Sequence, residues 1–293
     1  MSATAAQRWA QARSFHHSRY PARRVAAARE QTVTVCLPAR ECAGTIAAIV
    51  RDLCDLRELG AIDDVLVVDA ASADGTAAIA ADAGARVVQE AELVPELGAV
   101  LGKGDAMWRA LSAIDSEVVC FLDADVEAFG AHYATGLLGP LVCERGVSFV
   151  KAFYERPLRH GGVEVPAGGG RVNHLMARPA LALFYPDLAA VRQPLAGEIA
   201  ARRELLEQIP FTTGYGVEVA MLIDVWRRVG LDAIAQVDLG EHRNRSQPLA
   251  ALAPMAATVL ATIARRVAQE GRLRDVPDAA PPERPAHASV AIA

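Results

Sequence analysis

The chain has almost no lysine. Of its 30 basic residues only Lys103 and Lys151 are lysines, and the other 28 are arginines. Where arginine fills nearly every cationic position, a lysine that remains marks a place where a compact ammonium serves and a planar guanidinium does not. Cysteine is sparse too. Five residues with no C-x-x-C pair exclude a zinc ribbon and a disulfide framework, and point to reduced thiols in a cytoplasmic protein. There is no excess of positive charge either: a formal net charge of -5 and a pI near 5.8 give no bulk electrostatic case for nucleic acid. The arginine-rich start lacks the apolar core of a secretory signal. The longest uncharged stretch, Ser246 to Ala264, is alanine-rich and interrupted by Pro248 and Pro254, so it reads as a packing helix and not as a membrane span.

What is present suffices for one large α/β domain, alone or with a smaller extension, since 52% of the 293 residues are hydrophobic. Val33 to Leu37 reads as a strand that stops at Pro38, with Ile46, Ile49, Val50, Leu53 and Leu56 at helical spacing behind it. Val65 to Asp69 is a second strand, followed by the small, polar turn Ala71 to Thr76 and an alanine-rich helix that ends at Gly84. Arg86 to Val88 is a third. Gly102-Lys103-Gly104-Asp105 opens a helix carrying Met107, Leu111 and Ile114 on one face, and Val118 to Leu122 is the fourth strand. Strands alternating with helices in this way predict a mainly parallel, twisted sheet covered on both faces. Ligands of such sheets bind beyond the carboxyl ends of the strands, where Pro38 to Cys42, Asp69 to Asp74 and Asp123 to Asp125 all fall.

Asp123-Ala124-Asp125 brings two carboxylates to the end of a buried strand. A hard divalent cation that keeps phosphate oxygens and waters in its shell needs no more than that from the protein. Asp125 projects beyond the strand end and is the better ligand, while Asp123 is better placed to accept hydrogen bonds from sugar hydroxyls. In the second half, Val147 to Tyr154 is another strand, Gln193 to Glu198 precedes a charged helix, and Tyr215-Gly216-Val217-Glu218 opens an amphipathic helix that stops at Gly230. His242 follows a last strand, Ala233 to Val237, and stands beside Arg243, Asn244 and Arg245, which suits an anion-and-metal site and a basic surface turn alike. The Gly168-Gly169-Gly170-Arg171 loop, running into a helix, is either an anion cradle or a plain flexible loop. Gly102-Lys103-Gly104 lacks the upstream glycine and following hydroxyl of a Walker loop.

Ten segments in order carry a family resemblance: Leu37-Pro38-Ala39, Val68-Asp69, Ser72 to Thr76, Gly102 to Arg109, Phe121 to Asp125, Lys151 to Tyr154, Gly168 to Val172, Gln193 to Glu198, Gly214 to Glu218 and His242-Arg243-Asn244. Together, from about Thr32 to Leu249, they resemble the glucosyl-3-phosphoglycerate synthases. The resemblance implies a retaining glycosyltransferase of the GT-A, Rossmann-like fold, dependent on Mg²⁺ or Mn²⁺, homodimeric and cytoplasmic, with neither a nucleic-acid nor a membrane partner. It would move glucose from UDP-glucose to the 2-hydroxyl of 3-phospho-D-glycerate. Carried over by motif, Pro38, Ala39, Ser72 and Lys103 contact the nucleotide, Asp123 the donor ribose or sugar, and Glu218 the glucose hydroxyls. Asp125 and His242 hold the metal, and Gly170, Arg171, Asn173 and Asn244 bind the acceptor. Asp125, Glu218 and Lys103 are the catalytic candidates.

Where the family commonly reads P-A-L-N-E-E, this chain has Pro38-Ala39-Arg40-Glu41-Cys42-Ala43, which leaves a GDP-sugar donor and mannosyl transfer as an alternative. Another glycosyl acceptor and a non-catalytic nucleotide-sugar sensor are the further alternatives. The organisation expected is a flexible basic arm over 1–30, a nucleotide-sugar-binding half over 31–130, an acceptor-binding and metal-completing half over 131–248, a C-terminal helix over 249–272 and a disordered tail over 273–293.

Overall fold

The computed structural model describes residues 4–160, 163–165, 168–243, 248–274 and 281–289. Its arginine-rich start is folded, which corrects the expectation of a flexible arm. Helix α1 (Ala5–Arg13) is capped by Thr4, whose side chain accepts from Gln7 N, and β1 (Ser14–His16) and α2 (Ala22–Ala28) follow. Trp9, Tyr20 and Val25 are buried, and Trp9 Nε1 donates to the Ile234 carbonyl at 2.9 Å. Three apolar anchors among so many arginines leave no periodic signal in the sequence, yet they suffice to dock the segment.

The alternation then runs as expected through β2 (Val33–Ala39), α3 (Ile46–Glu58), β3 (Asp64–Asp69), α4 (Thr76–Asp82), β4 (Arg86–Gln89), α5 (Lys103–Ala110) and β5 (Val118–Phe121). Strand β2 continues through Pro38 instead of stopping there. The Cys36 carbonyl accepts from Leu122 N at 3.1 Å, so Pro38, two residues on, faces the same side, where β5 has already ended. No N–H is needed at that point.

The second half comprises α6 (His132–Cys143), β6 (Phe149–Glu155), β7 (Leu158–His160), β8 (Val163–Val165), α7 (Arg178–Phe184), β9 (Ile199–Arg202), α8 (Arg203–Glu207), β10 (Phe211–Thr212), α9 (Val217–Val229), β11 (Ile234–Glu241), α10 (Leu249–Gln269) and β12 (Glu283–Arg284). Eight strands form one sheet in the order β1-β11-β6-β9-β5-β2-β3-β4. Its pairs are parallel except those of β9 with β5 and β6. Central β9 is absent from the sequence reading, which takes Glu198 straight into a helix. Ile199-Ala200-Ala201-Arg202 has the composition of a helix start; pairing with a neighbour on each side overrides that preference.

One face of the sheet packs against α3 and α6 through residues such as Ile49, Leu53, Tyr133 and Leu137, and the other against α5, α9 and α10 through Trp108, Leu222 and Ile263. Helix α10 has 21 residues and is long and apolar enough to cross a membrane by length and composition. Its Val259, Ile263 and Val267 are nevertheless buried in the core, and Arg266 is wholly buried in ion pairs with Asp224 and Glu283. Residues 281–289 correct the expectation of a disordered tail, because β12 pairs antiparallel with β10.

Candidate active site

Strand β5 ends at Phe121, and the next four residues carry Asp123 and Asp125 to the carboxyl edge of the sheet. Lys103 Nζ, in the first turn of α5, lies 2.5 Å from Asp123 Oδ1 and 3.3 Å from Glu218 Oε1, in the first turn of α9. Two glycines make this meeting possible. Gly104 N donates to the Thr213 carbonyl at 3.2 Å, and any β carbon at Gly104 would overlap the Thr212 carbonyl oxygen. A β carbon on Gly197 would stand 2.5 Å from Lys103 Nζ and 2.6 Å from Asp123 Oδ1. Burial works against the Lys103 ammonium, but the Asp123 and Glu218 carboxylates outweigh it and raise its pKa. Burial likewise works against the Asp123 carboxylate, and Lys103 more than offsets it, so Asp123 is held ionised. The second lysine, Lys151, is buried in β6 and donates to the Ala196 carbonyl at 2.7 Å; burial lowers its pKa to about 8.

Asp125 opens onto the cleft, and the protein around it, then the Asp123 charge, raise its pKa. His242 lies just past β11, 1% exposed, stacked on Tyr154 at 4.1 Å between ring centroids. Its Nδ1 faces Tyr133 Oη at 3.3 Å and Glu198 Oε1 at 3.6 Å, while its buried Nε2 has no hydrogen-bond partner. Burial and then Arg156 lower its pKa to about 4, so the ring is neutral, and with the Tyr133 hydroxyl donating to the Glu241 carbonyl, Nδ1 is the nitrogen turned to polar partners and Nε2 the one without. The next residue's carbonyl, that of Arg243, accepts from Glu127 N at 3.0 Å and ties this turn to the loop after Asp125. Among the described residues no group of three or more His, Cys, Asp or Glu is placed to hold a metal. The unpartnered His242 nitrogen and the exposed Asp125 carboxylate each have the chemistry of a ligand for a divalent cation that takes oxygen ligands and keeps water in its shell.

A single cleft of about 430 Å³ brings Lys103, Asp123, Asp125 and Glu218 together with Gly170, Arg171 and Asn173. Asn173 opens a π-helical turn over Asn173–Ala177; its Nδ2 donates to the Arg192 carbonyl at 3.2 Å and its buried Oδ1 is unpaired. His242 stands outside this lining, buried. Pro38, Ala39 and Ser72 also lie outside it, at the ends of the adjacent strands β2 and β3. Asn244 lies outside the described residues. The β2 and β3 loops are fastened to each other: Glu41 N donates to Ser72 Oγ, Ala73 N to Glu41 Oε1 and Ala43 N to Asp74 Oδ2, each at 2.9 Å. Glu41 and Ala71 hold positive φ values of 54° and 52°, a local strain of roughly 1 kcal/mol or more each that these bonds sustain. The Glu41 carboxylate is thus committed to the loop.

Sequence reasoning assigned no role to Tyr154, Arg156, Gly197, Glu198 or Tyr215. Arg156, one residue past β6, lines the cleft with its guanidinium 5.9 Å from the Tyr154 ring centroid, a position the strand-end rule reaches once β6 is extended to Glu155. Glu198 is wholly buried; Tyr154 Oη donates to its Oε2 at 3.0 Å, and burial followed by the Asp123 charge raises its pKa to about 7. Nothing in the sequence signals a carboxylate placed behind a histidine 44 positions later.

Residues 34–135 match the family described as Glycosyl transferase family 2. The chain is 44% identical over 241 residues to the glucosyl-3-phosphoglycerate synthase of Mycolicibacterium smegmatis, an alignment covering 82% of this chain and 79% of that one. Its structure resembles the crystal structure of mannosyl-3-phosphoglycerate synthase from Rubrobacter xylanophilus with a TM-score of 0.85 and 46% identity, covering 93% of this chain and 86% of the other. It also resembles glucosyl-3-phosphoglycerate synthase from Mycobacterium tuberculosis, solved with Mn²⁺, UDP-glucose and phosphoglyceric acid, with a TM-score of 0.81 and 38% identity, covering 92% of this chain and 95% of the other.

Proposed function

The chain belongs to the glucosyl-3-phosphoglycerate synthase family of metal-dependent glycosyltransferases, and we propose that it transfers glucose from UDP-glucose to the 2-hydroxyl of 3-phospho-D-glycerate with retention at the anomeric carbon. The observation that carries this reading is the cleft itself, in which the Lys103, Asp123, Asp125 and Glu218 group faces Gly170, Arg171 and Asn173. One side suits a metal-bound diphosphate and a sugar, the other a small anion.

Asp125 and His242 would hold Mg²⁺ or Mn²⁺, which when bound would offset charge on the diphosphate. Pro38, Ala39 and Ser72 position the nucleotide. The Lys103 ammonium stands where negative charge grows as the bond from the anomeric carbon to the diphosphate oxygen breaks. Asp123 and Glu218 hold the ribose and glucose hydroxyls, and Gly170, Arg171, Asn173 and Asn244 hold the acceptor's phosphate and carboxylate. The acceptor hydroxyl oxygen forms the new bond on the face from which the diphosphate leaves, and its proton passes to the departing diphosphate oxygen. Glu218 is engaged by Lys103 at 3.3 Å and serves the sugar hydroxyls, not as a nucleophile. A glycosyl adduct on Glu218 in mass spectrometry would contradict that assignment.

Five thiols without a disulfide among them suit a cytoplasmic enzyme. Leu249 at the start of α10 and Leu183 in α7, 68% and 73% exposed, suit burial against a second copy, and a dimer by light scattering is the outcome expected. Mannosyl transfer is the second reading, favoured by the 46% identity to the Rubrobacter xylanophilus enzyme and by the Arg40-Glu41-Cys42 turn. Nucleoside diphosphate release, measured with UDP-glucose, GDP-glucose and GDP-mannose, tests both. Release from UDP-glucose only with 3-phosphoglycerate and Mg²⁺ present supports the first reading. Preference for GDP-mannose supports the second, and no acceptor-dependent release from any donor overturns both.

A further inference from the structure

Residues 281–289 do more than cover the surface. Strand β12 pairs with β10, just ahead of α9, in the register Phe211↔Arg284 and Thr212↔Glu283, and Thr213 Oγ1 donates to the Pro282 carbonyl at 2.9 Å. From the same strand Arg284 forks onto Asp105 in α5, Nε to Oδ1 at 2.7 Å and Nη2 to Oδ2 at 2.9 Å. Asp105 is wholly buried, two residues after Lys103, and also accepts from Leu101 N at 2.9 Å. Trp108 Nε1, one turn further along α5, donates to the Pro285 carbonyl at 2.9 Å. Glu283 meanwhile accepts from Thr212 Oγ1 at 3.0 Å and pairs with Arg266 of α10. One short segment therefore fastens the helix that carries Lys103, the strand that leads to Glu218 and the helix behind both.

We propose that residues 281–289 form a clamp that sets Lys103 against Glu218 and Asp123, with Arg284 as its positioning residue. The fork from Arg284 fixes both oxygens of Asp105, and Asp105 in turn fixes the turn from Leu101 into α5, so the orientation of the first helical turn depends on a residue 181 positions later. Arg284 stands outside the lining of the cleft, and its side chain acts through Asp105 of α5 and the Leu97 carbonyl ahead of that helix. Its effect falls on the step in which Lys103 meets the departing diphosphate and leaves acceptor capture alone. The inference rests on the proposed role of Lys103.

The test uses the full chain, assayed well below its melting temperature with UDP-glucose and 3-phosphoglycerate. Arg284→Ala is expected to lower kcat about tenfold, as displacement of a charge-stabilising group does, while the acceptor KM stays within about twofold. Arg284→Lys recovers part of the loss, since it restores the charge but not the fork. In a Lys103→Ala background Arg284→Ala has no further effect, which a merely structural role would not produce. Should Arg284→Ala not fold, Trp108→Phe, which removes the bond to Pro285 and trims a buried ring, is expected to lower kcat about threefold with the same KM pattern. Parental kcat in a folded Arg284→Ala or Trp108→Phe protein, or equal losses with and without Lys103, overturns the clamp. Parental turnover in Lys103→Ala overturns instead the role given to Lys103.

Discussion

The two sides of the cleft are built differently. On the side proposed for the donor, Asp123, Asp125, Lys103 and Glu218 come from the ends of regular elements, and the adjoining loops are cross-tied by Glu41, Ser72 and Asp74. On the side proposed for the acceptor, Gly170, Arg171 and Asn173 come from a glycine-rich run into a π-helical turn, beside the small β7-β8 hairpin. The donor side gathers acids around one ammonium; the acceptor side presents arginines. The proposed roles divide the labour accordingly, since acids at strand ends suit a cation with little reorganisation, whereas a guanidinium on an irregular segment suits a small phosphorylated carboxylate by geometry. The proposed arrangement would let a chain with a net charge of -5 take two anionic substrates.

Perturbing one side should therefore leave the other untouched. Asp125→Ala is expected to lower kcat about a thousandfold or more with either Mg²⁺ or Mn²⁺, while the melting temperature holds because the side chain is exposed. Steady-state kinetics and thermal melting check it. Arg171→Ala is expected to raise the acceptor KM about a hundredfold with the donor KM within about twofold, and equal changes in both would break the division. Ser72→Ala, which removes the bond from Glu41 N, should raise the donor KM only about threefold and leave the acceptor KM alone.

Lys151 lies under the loop between the two sides and offers a pH test. Its folded pKa of about 8 is below the value of 10.5 for a free lysine, so the unfolded chain binds the proton more tightly between them. The penalty for burying the ammonium is complete below pH 8 and is relieved as pH rises toward 10.5. Relative to Lys151→Met, the parent should gain about 2 kcal/mol of stability between pH 8 and about 9.5, measured by denaturant unfolding. A constant difference would mean that Lys151 keeps an ordinary pKa.

The donor half of the sheet was legible because each strand is a β-branched run and each helix has a clean apolar face. Asp123, Asp125 and Lys103 could be placed because strand ends and helix starts are local features. What was missed depends on distant pairing. Strand β9 is alanine-rich and holds only between β5 and β6, and residues 4–30 dock through Trp9, Tyr20 and Val25 against partners such as Ile234 and α6, more than a hundred positions away. Residues 281–289, with three prolines and a single acid balanced by a single arginine, are held by Asp105, Trp108 and Arg266, none of which advertises a partner in the sequence. Glu198 behind His242 and Arg156 beside Tyr154 were unread for the same reason.

The central claim is that Asp125 and His242, more than a hundred residues apart in the chain, hold one cation for the donor diphosphate. Titrating Mn²⁺ into the protein with UDP present, followed by the loss of free-ion electron paramagnetic resonance signal, tests it most directly in the parent, His242→Ala and Asp125→Ala. Mn²⁺ affinity is expected to fall about tenfold or more in each variant, with both still folded by thermal melting. Affinity equal to the parent's in His242→Ala would contradict the account.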